Sequence, residues 1–253
     1  MTAHNLAQAT SVLSIAMSKL CAVIGIGPGI GENTAKKFAA EGYAVALMSR
    51  TVERIQQLAS QIPGAKSYAC DVANKEQVAA AFASMRTEMG EPDVVIYNSG
   101  MGVFKTYDKV TADEFRDCWE VNTLGLFHVA QEVGPSWTTR GSGVLGVTGA
   151  TANWRGMPAT AAFAPAKAAQ RSLAQSLARD LGPKGIHVYN VVVDGVIDLP
   201  RTREWMPDKP NEYFIQPSKV ADVHHQLASQ DASCWTFELN VVPSSQFGSM
   251  VSI

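Results

Sequence analysis

In the stretch AAFAPAKAAQ, residues 161–170, Lys167 follows Phe163 by four positions, one helical turn, so the two side chains share a helix face. The lysine offers a proton-holding amine, and the position beside it carries a phenyl ring where a hydroxyl would be of more use to proton transfer. A second group of residues suits phosphate. CAVIGIGPGIGENTAKKFA runs from an apolar segment into a helical pattern and spaces Gly25, Gly29 and Gly31 as G-x-x-x-G-x-G. A G-x-G-x-x-G reading fails, because its sixth position is Ile30. Glycines there permit a tight turn and close backbone approach to a pyrophosphate, and the helix N-terminus beyond presents unpaired N–H groups. At the end of the next apolar run stand Ser49 and Arg50, with no acid. An acid would hydrogen-bond an NAD ribose, whereas arginine suits a 2′-phosphate, so NADP(H) is expected in preference to NAD(H).

Placing these residues requires alternating strands and helices. Short β-branched runs suggest strands at 19–25, 43–49, 65–70, 92–98, 143–149, 186–193 and 235–242. Ala-rich patterns between them suggest helices at 30–41, 52–60, 74–89, 111–133, 164–181 and 217–229. Thr111 with Glu114 forms a capping-box pattern, Gly182-Pro183 closes a helix, and Pro165 is tolerable only near a helix start. Several strands are almost continuously apolar, as strands covered on both faces are. The expectation is an α/β fold, a single doubly wound Rossmann-type domain over 18–253 with a seven-stranded parallel sheet. The irregular stretch 194–216, with three prolines and three aromatic residues, is the candidate substrate lid.

Composition narrows the partners. The 253 residues are 46% hydrophobic with a formal charge of −2, which suits one core and leaves no basic run to track nucleic acid. No apolar run reaches the roughly 18–20 residues that cross a bilayer. Cys21, Cys70, Cys118 and Cys234 are far apart and form no metal-ligand spacing, so reduced thiols in the cytoplasm and no metal are expected. The N-terminal extension, residues 1–17, lacks acidic side chains as organelle transit peptides do, yet also lacks arginine.

Four motifs in order resemble those of the short-chain dehydrogenase/reductase family, over about residues 19–242. They are the glycine turn, Asp71 in CDVAN after the third strand, Asn98, Ser99 and Gly100 in YNSG after the fourth, and Asn122 in VNTLG. The resemblance implies an NADP(H)-dependent oxidoreductase transferring hydride to a small or medium hydrophobic substrate. It implies cofactor contacts from Gly25, Gly29, Ile30, Gly31, Ser49, Arg50, Asp71, Val72, Asn98, Ser99, Gly100, Lys167, Asp194 and Gly195. Catalytic roles fall on Lys167 and Asn122, and Ala150, Thr151, Trp154 and Phe163 line the implied substrate pocket.

This sequence departs from the family where the proton is delivered. The tyrosine position is Phe163 and the serine position Ala150, so both hydroxyls are missing; Thr151 is the nearest stand-in. A positioned acid contributes roughly 10²–10⁴-fold. Asp194 and Leu199 stand where the family has proline and threonine, and Asp194 reads either as a proton relay or as a loop cap. Carbonyl, imine or enone reduction without the tyrosine is the leading expectation. The alternatives are a catalytically degenerate NADP(H)-binding protein and a non-redox enzyme on the same scaffold. Relatives assemble through the helices after the fourth and fifth strands, which implies a homodimer or homotetramer.

Overall fold

A computed structural model describes residues 18–247; the N-terminal extension lies outside the described residues. Seven parallel strands form one sheet in the order β3-β2-β1-β4-β5-β6-β9. These are β1 (Leu20–Ile24), β2 (Ala44–Ser49), β3 (Lys66–Ala69), β4 (Val94–Tyr97), β5 (Gly143–Ala150), β6 (Ile186–Val193) and β9 (Glu238–Val241), and they occupy the seven expected segments. Every residue of β1, β4 and β6 is buried.

Side-chain alternation divides the core between the two faces. Leu20, Ala22 and Ile24 of β1 join the cluster holding Phe82 and Met85 of α3 (Lys75–Met89), Trp137 of α5 (Gly125–Arg140) and Ala174 of α6 (Phe163–Leu181). Cys21 and Val23 face the other cluster, with Phe38 of α1 (Ile30–Ala40), Ile55 of α2 (Val52–Ala59) and Val220 of α8 (Pro217–Ala228). Burying side chains on both faces of the central strands β1 and β4 contributes about 1.5–3 kcal/mol per large side chain, which is why these two strands are apolar throughout.

Two stretches differ from the sequence expectation. Instead of one helix at 111–133, the chain forms α4 (Ala112–Trp119), a π-turn at Glu120–Leu124 and then α5, which runs on to Arg140. The capping box at Thr111 and Glu114 opens α4 as read. The π-turn coincides with side chains that seize its carbonyls: Tyr97 donates to Val121 O at 2.5 Å, and Gln170 to Asn122 O at 2.7 Å.

The candidate lid, 194–216, is largely regular. It holds β7 (Val196–Ile197), α7 (Pro200–Trp205) and β8 (Phe214–Ile215), with β7 and β8 paired in parallel. Arg203 grips Asp198 through two bonds of 2.7 and 2.8 Å and stacks 3.9 Å over the Phe214 ring, which anchors α7 to the strand pair.

Candidate active site

From β1 the chain proceeds outward to β2 and β3, then returns to β4 on the other side of β1. The crevice at the carboxyl ends of β1 and β4 is therefore a topological switch point, the place where open parallel sheets bind ligands. A cavity of about 510 Å³ lies there. Its walls include Gly25, Gly29, Ile30, Gly31, Ser49, Arg50, Asp71, Val72, Asn98, Ser99 and Gly100, all read from the sequence as cofactor residues.

Local structure explains the glycines. Gly25 takes φ 93°, where a side chain is strained, and a Cβ there would meet the backbone of Ser99. Any Cβ on Gly31 would strike Gly25 O. The same carbonyl accepts from Asn98 Nδ2 at 2.8 Å, so Asn98 holds the turn's shape from β4. α1 begins at Ile30, and of its first N–H groups those of Gly29, Ile30 and Gly31 belong to cavity-wall residues, while that of Glu32 donates to Gly27 O at 3.2 Å. Asp71 is used locally, accepting from Ala73 N at 3.1 Å.

Cavity residues that sequence reading missed are chiefly Thr51, Arg54, Ile197, Leu199 and Arg201. Arg50, Arg54 and Arg201 are exposed on this wall. Arg54 lies four residues beyond Arg50 in α2, a spacing that was visible in the sequence. Leu199 carries no hydroxyl but has a place: its Cδ2 lies 2.9 Å from where a Cβ on Gly29 would be.

Lys167, Asp194 and Gly195 are not on the cavity wall. The Lys167 amine lies behind Gly100, 3.8 Å from where a Cβ on that glycine would be. It donates to Thr148 O at 2.9 Å and to Gln170 Oε1 at 2.8 Å. Burial disfavours its charge and lowers its pKa to about 8, with the neighbouring Cys118 thiol opposing. Asn122, buried in the π-turn, donates through Nδ2 to Met101 O at 2.8 Å and Cys118 O at 2.7 Å. Its Oδ1 has no partner among the described residues.

The four substrate-pocket candidates divide. Phe163 opens α6, which puts Pro165 in the first helical turn as the sequence required, and its ring meets Phe104 with centroids 5.3 Å apart. Ala150 ends β5, and its N–H donates to Asn153 Oδ1. Thr151 donates its hydroxyl to Asp194 Oδ1. Asp194 is fully buried, with the Arg155 guanidinium 3.9 Å from that oxygen and Oδ2 without a partner among the described residues. Trp154 turns toward the sheet edge instead, its indole N–H 3.4 Å from Glu238 Oε1. Gly195 packs against Ile215 and Pro243.

A family model described as enoyl-(acyl carrier protein) reductase matches residues 25–242. A 7α-hydroxysteroid dehydrogenase of Escherichia coli is 34% identical over 230 residues, covering 84% of this chain and 88% of the relative. Among solved structures, a short-chain dehydrogenase from Rhodopseudomonas palustris matches with a TM-score of 0.77 at 34% identity, covering 89% of this chain and 98% of that one. An alcohol dehydrogenase from Thermococcus sibiricus, complexed with 5-hydroxy-NADP, matches at 0.82 with 26% identity, covering 90% and 98%. The chain belongs to the short-chain dehydrogenase/reductase family.

No helix among the described residues is long and apolar enough to cross a membrane. Among them, too, no cluster of three or more His, Cys, Asp or Glu side chains is arranged to hold a metal.

Proposed function

We propose that this protein is an NADP(H)-dependent oxidoreductase that reduces a small or medium hydrophobic carbonyl, imine or enone without a tyrosine proton donor. The observation that carries the reading is the pairing of a phosphate cavity, walled by the glycine turn and three arginines, with the Lys167 amine behind Gly100 and no hydroxyl on Phe163. The residues present fit the cofactor: the α1 N-terminus suits a pyrophosphate, and Arg50 with Arg54 suits a 2′-phosphate. Relatives support it, since the Thermococcus enzyme was solved with an NADP derivative. When bound, the nicotinamide supplies a hydride.

The chain's own residues then bind and orient. The Phe163 and Phe104 rings give the substrate side an apolar surface. Lys167, near neutrality in its proton affinity, is the group able to hold or release a proton beside Gly100. Asp194 with Thr151 is the second proton-handling pair and would stabilise a cationic iminium through the carboxylate. Hydride addition to an iminium develops no alkoxide, so it needs the missing hydroxyls least.

One observation favours a second reading, an NADP(H)-binding protein without turnover: both acceptors on Lys167 Nζ come from the protein itself. Deuterium transfer separates the two. Incubating NADPH deuterated at nicotinamide C4 with a panel of hydrophobic ketones, cyclic imines and enones is expected to give labelled alcohol, amine or saturated ketone. No label in any product, together with carbonyl reduction gained in the Phe163→Tyr, Ala150→Ser double variant, would leave the binding protein. We also propose a cytoplasmic homodimer or homotetramer. Four free cysteines support the compartment, and exposed Phe115 and Trp119 on α4 and Phe127 on α5 support the assembly, which light scattering reads directly.

A further inference from the structure

The Lys167 amine is held by a side chain from its own helix. Gln170, fully buried three residues on, accepts from Nζ through Oε1 at 2.8 Å and donates through Nε2 to the Asn122 carbonyl at 2.7 Å. The partners impose the amide's direction: a backbone carbonyl only accepts, so nitrogen faces Asn122 and oxygen faces the amine. Thr123 Oγ1 donates to Ala166 O at 2.8 Å, so a second bond ties the same turn of α6 to the π-turn. The other acceptor on Nζ is Thr148 O. A neutral amine has two N–H bonds and an ammonium three, so these two acceptors are satisfied in either state. Gly100, a residue of the cavity wall, lies alongside Nζ.

We propose that Gln170 is a positioning residue: its carboxamide, pinned to the π-turn carbonyl, works with Thr148 O so that protonation of Lys167 alters only the tetrahedral position left over, toward the cavity. The inference rests on the reading of Lys167 as the site's proton-holding group and names what sets it. The ionisable side chain that acts on Lys167 is the Cys118 thiol of α4. Asp194 beyond β6 is engaged by Thr151 and Arg155, Glu238 of β9 by Arg171 and Asn190, and His128 of α5 by Val72 O. Among the described residues none of these bonds Nζ.

The test is the titration of Lys167 in the whole protein without cofactor, read by NMR on ¹³Cε-labelled lysine, with Lys167→Met identifying the resonance. The wild-type midpoint is expected near 8. Gln170→Met removes an acceptor that favours the ammonium and is expected to lower the midpoint by about one unit, tenfold in proton affinity. Gln170→Glu sets a carboxylate against the amine and is expected to raise it by about one unit or more. Opposed shifts support the proposal; midpoints within about 0.2 unit of wild type in both variants, or shifts in the same direction, overturn it. Should the Met variant fail to fold, the near-isosteric Glu variant decides alone, by rising or staying. A glutamine that only packs would change the melting temperature and leave the titration in place. NADPH binding is measured separately, so failure of cofactor binding and failure of the Gln170 assignment are distinct results.

Discussion

Above β1 and β2 the chain leaves polar groups on the wall of an open cavity; above β5 and β6, at the same edge of the sheet, it turns them on one another. In the first region Gly25, Gly31, Arg50, Arg54 and Arg201 border the cavity of about 510 Å³. In the second, Lys167 is taken by Thr148 and Gln170, Thr151 by Asp194, and Glu238 by Arg171 and Asn190. Buried polar groups must be satisfied by something, and the cost of leaving one unpaired is about 1–3 kcal/mol. The first region leaves its polar groups facing the cavity, and the second performs most of that task with the chain's own side chains and carbonyls. The second region is thus a buried polar core held mostly by the chain's own groups, with Asn122 Oδ1 and Asp194 Oδ2 left without a partner among the described residues.

The largest effect expected is at the open region. Gly25→Ala forces a side chain into φ 93° and against the Ser99 backbone, so about 2 kcal/mol or more of stability and all measurable NADPH affinity are expected to go. Undiminished binding by isothermal calorimetry would mean the turn does not hold the cofactor. Next, Arg50→Ala with Arg54→Ala removes charge-assisted bonds of about 1.5–3 kcal/mol each, and NADPH affinity should fall at least roughly a hundredfold while NADH affinity stays. An equal loss for both cofactors would remove the 2′-phosphate from the account.

In the closed region the consequence is acid sensitivity. Burial holds the His224 imidazole down to about 3, bonded at 3.1 Å to Thr148 Oγ1 and at 3.3 Å to Tyr189 OH. The unfolded chain takes the proton first, at the ordinary histidine value near 6.5. This group's contribution is therefore intact above that pH and lost on the way down toward 3, at about 1.4 kcal/mol per unit. Urea unfolding as a function of pH should show the slope, and His224→Gln should flatten it. Lys167 acts in the alkaline range from the same cause: burial lowers its value too, so the fold gains stability as pH rises from about 8 toward 10.5. The smallest effect is at the sheet edge. Trp154→Phe gives up the 3.4 Å bond to Glu238, about 0.5–1 kcal/mol, with no change in NADPH affinity.

The open region was legible in the sequence because its signals are local. Buried parallel strands must be apolar along their whole length, and a phosphate turn must lose its Cβ atoms at Gly25, Gly29 and Gly31, so both leave short-range patterns. Most of the closed region was not, because its partners are distant in sequence. The π-turn follows from Tyr97 and Gln170, 24 and 48 residues from the carbonyls they bind, and periodicity over 111–133 holds no trace of either. Trp154 meets Glu238 across 84 residues, a contact that no local pattern in the sequence announces. The lid's order was hidden for another reason: two-residue strands such as β7 and β8 are too short to show alternation, and Arg203 with Asp198 looks like loop charge until the bidentate pair is seen.

The central claim is that the open region is an NADP(H) site beside a proton-donor position emptied of its hydroxyl. Titrating the wild-type protein into NADPH and, separately, NADH while following nicotinamide fluorescence tests it most directly. The account predicts a saturable change with NADPH and a markedly weaker one with NADH. The absence of a saturable change with either nucleotide would contradict it.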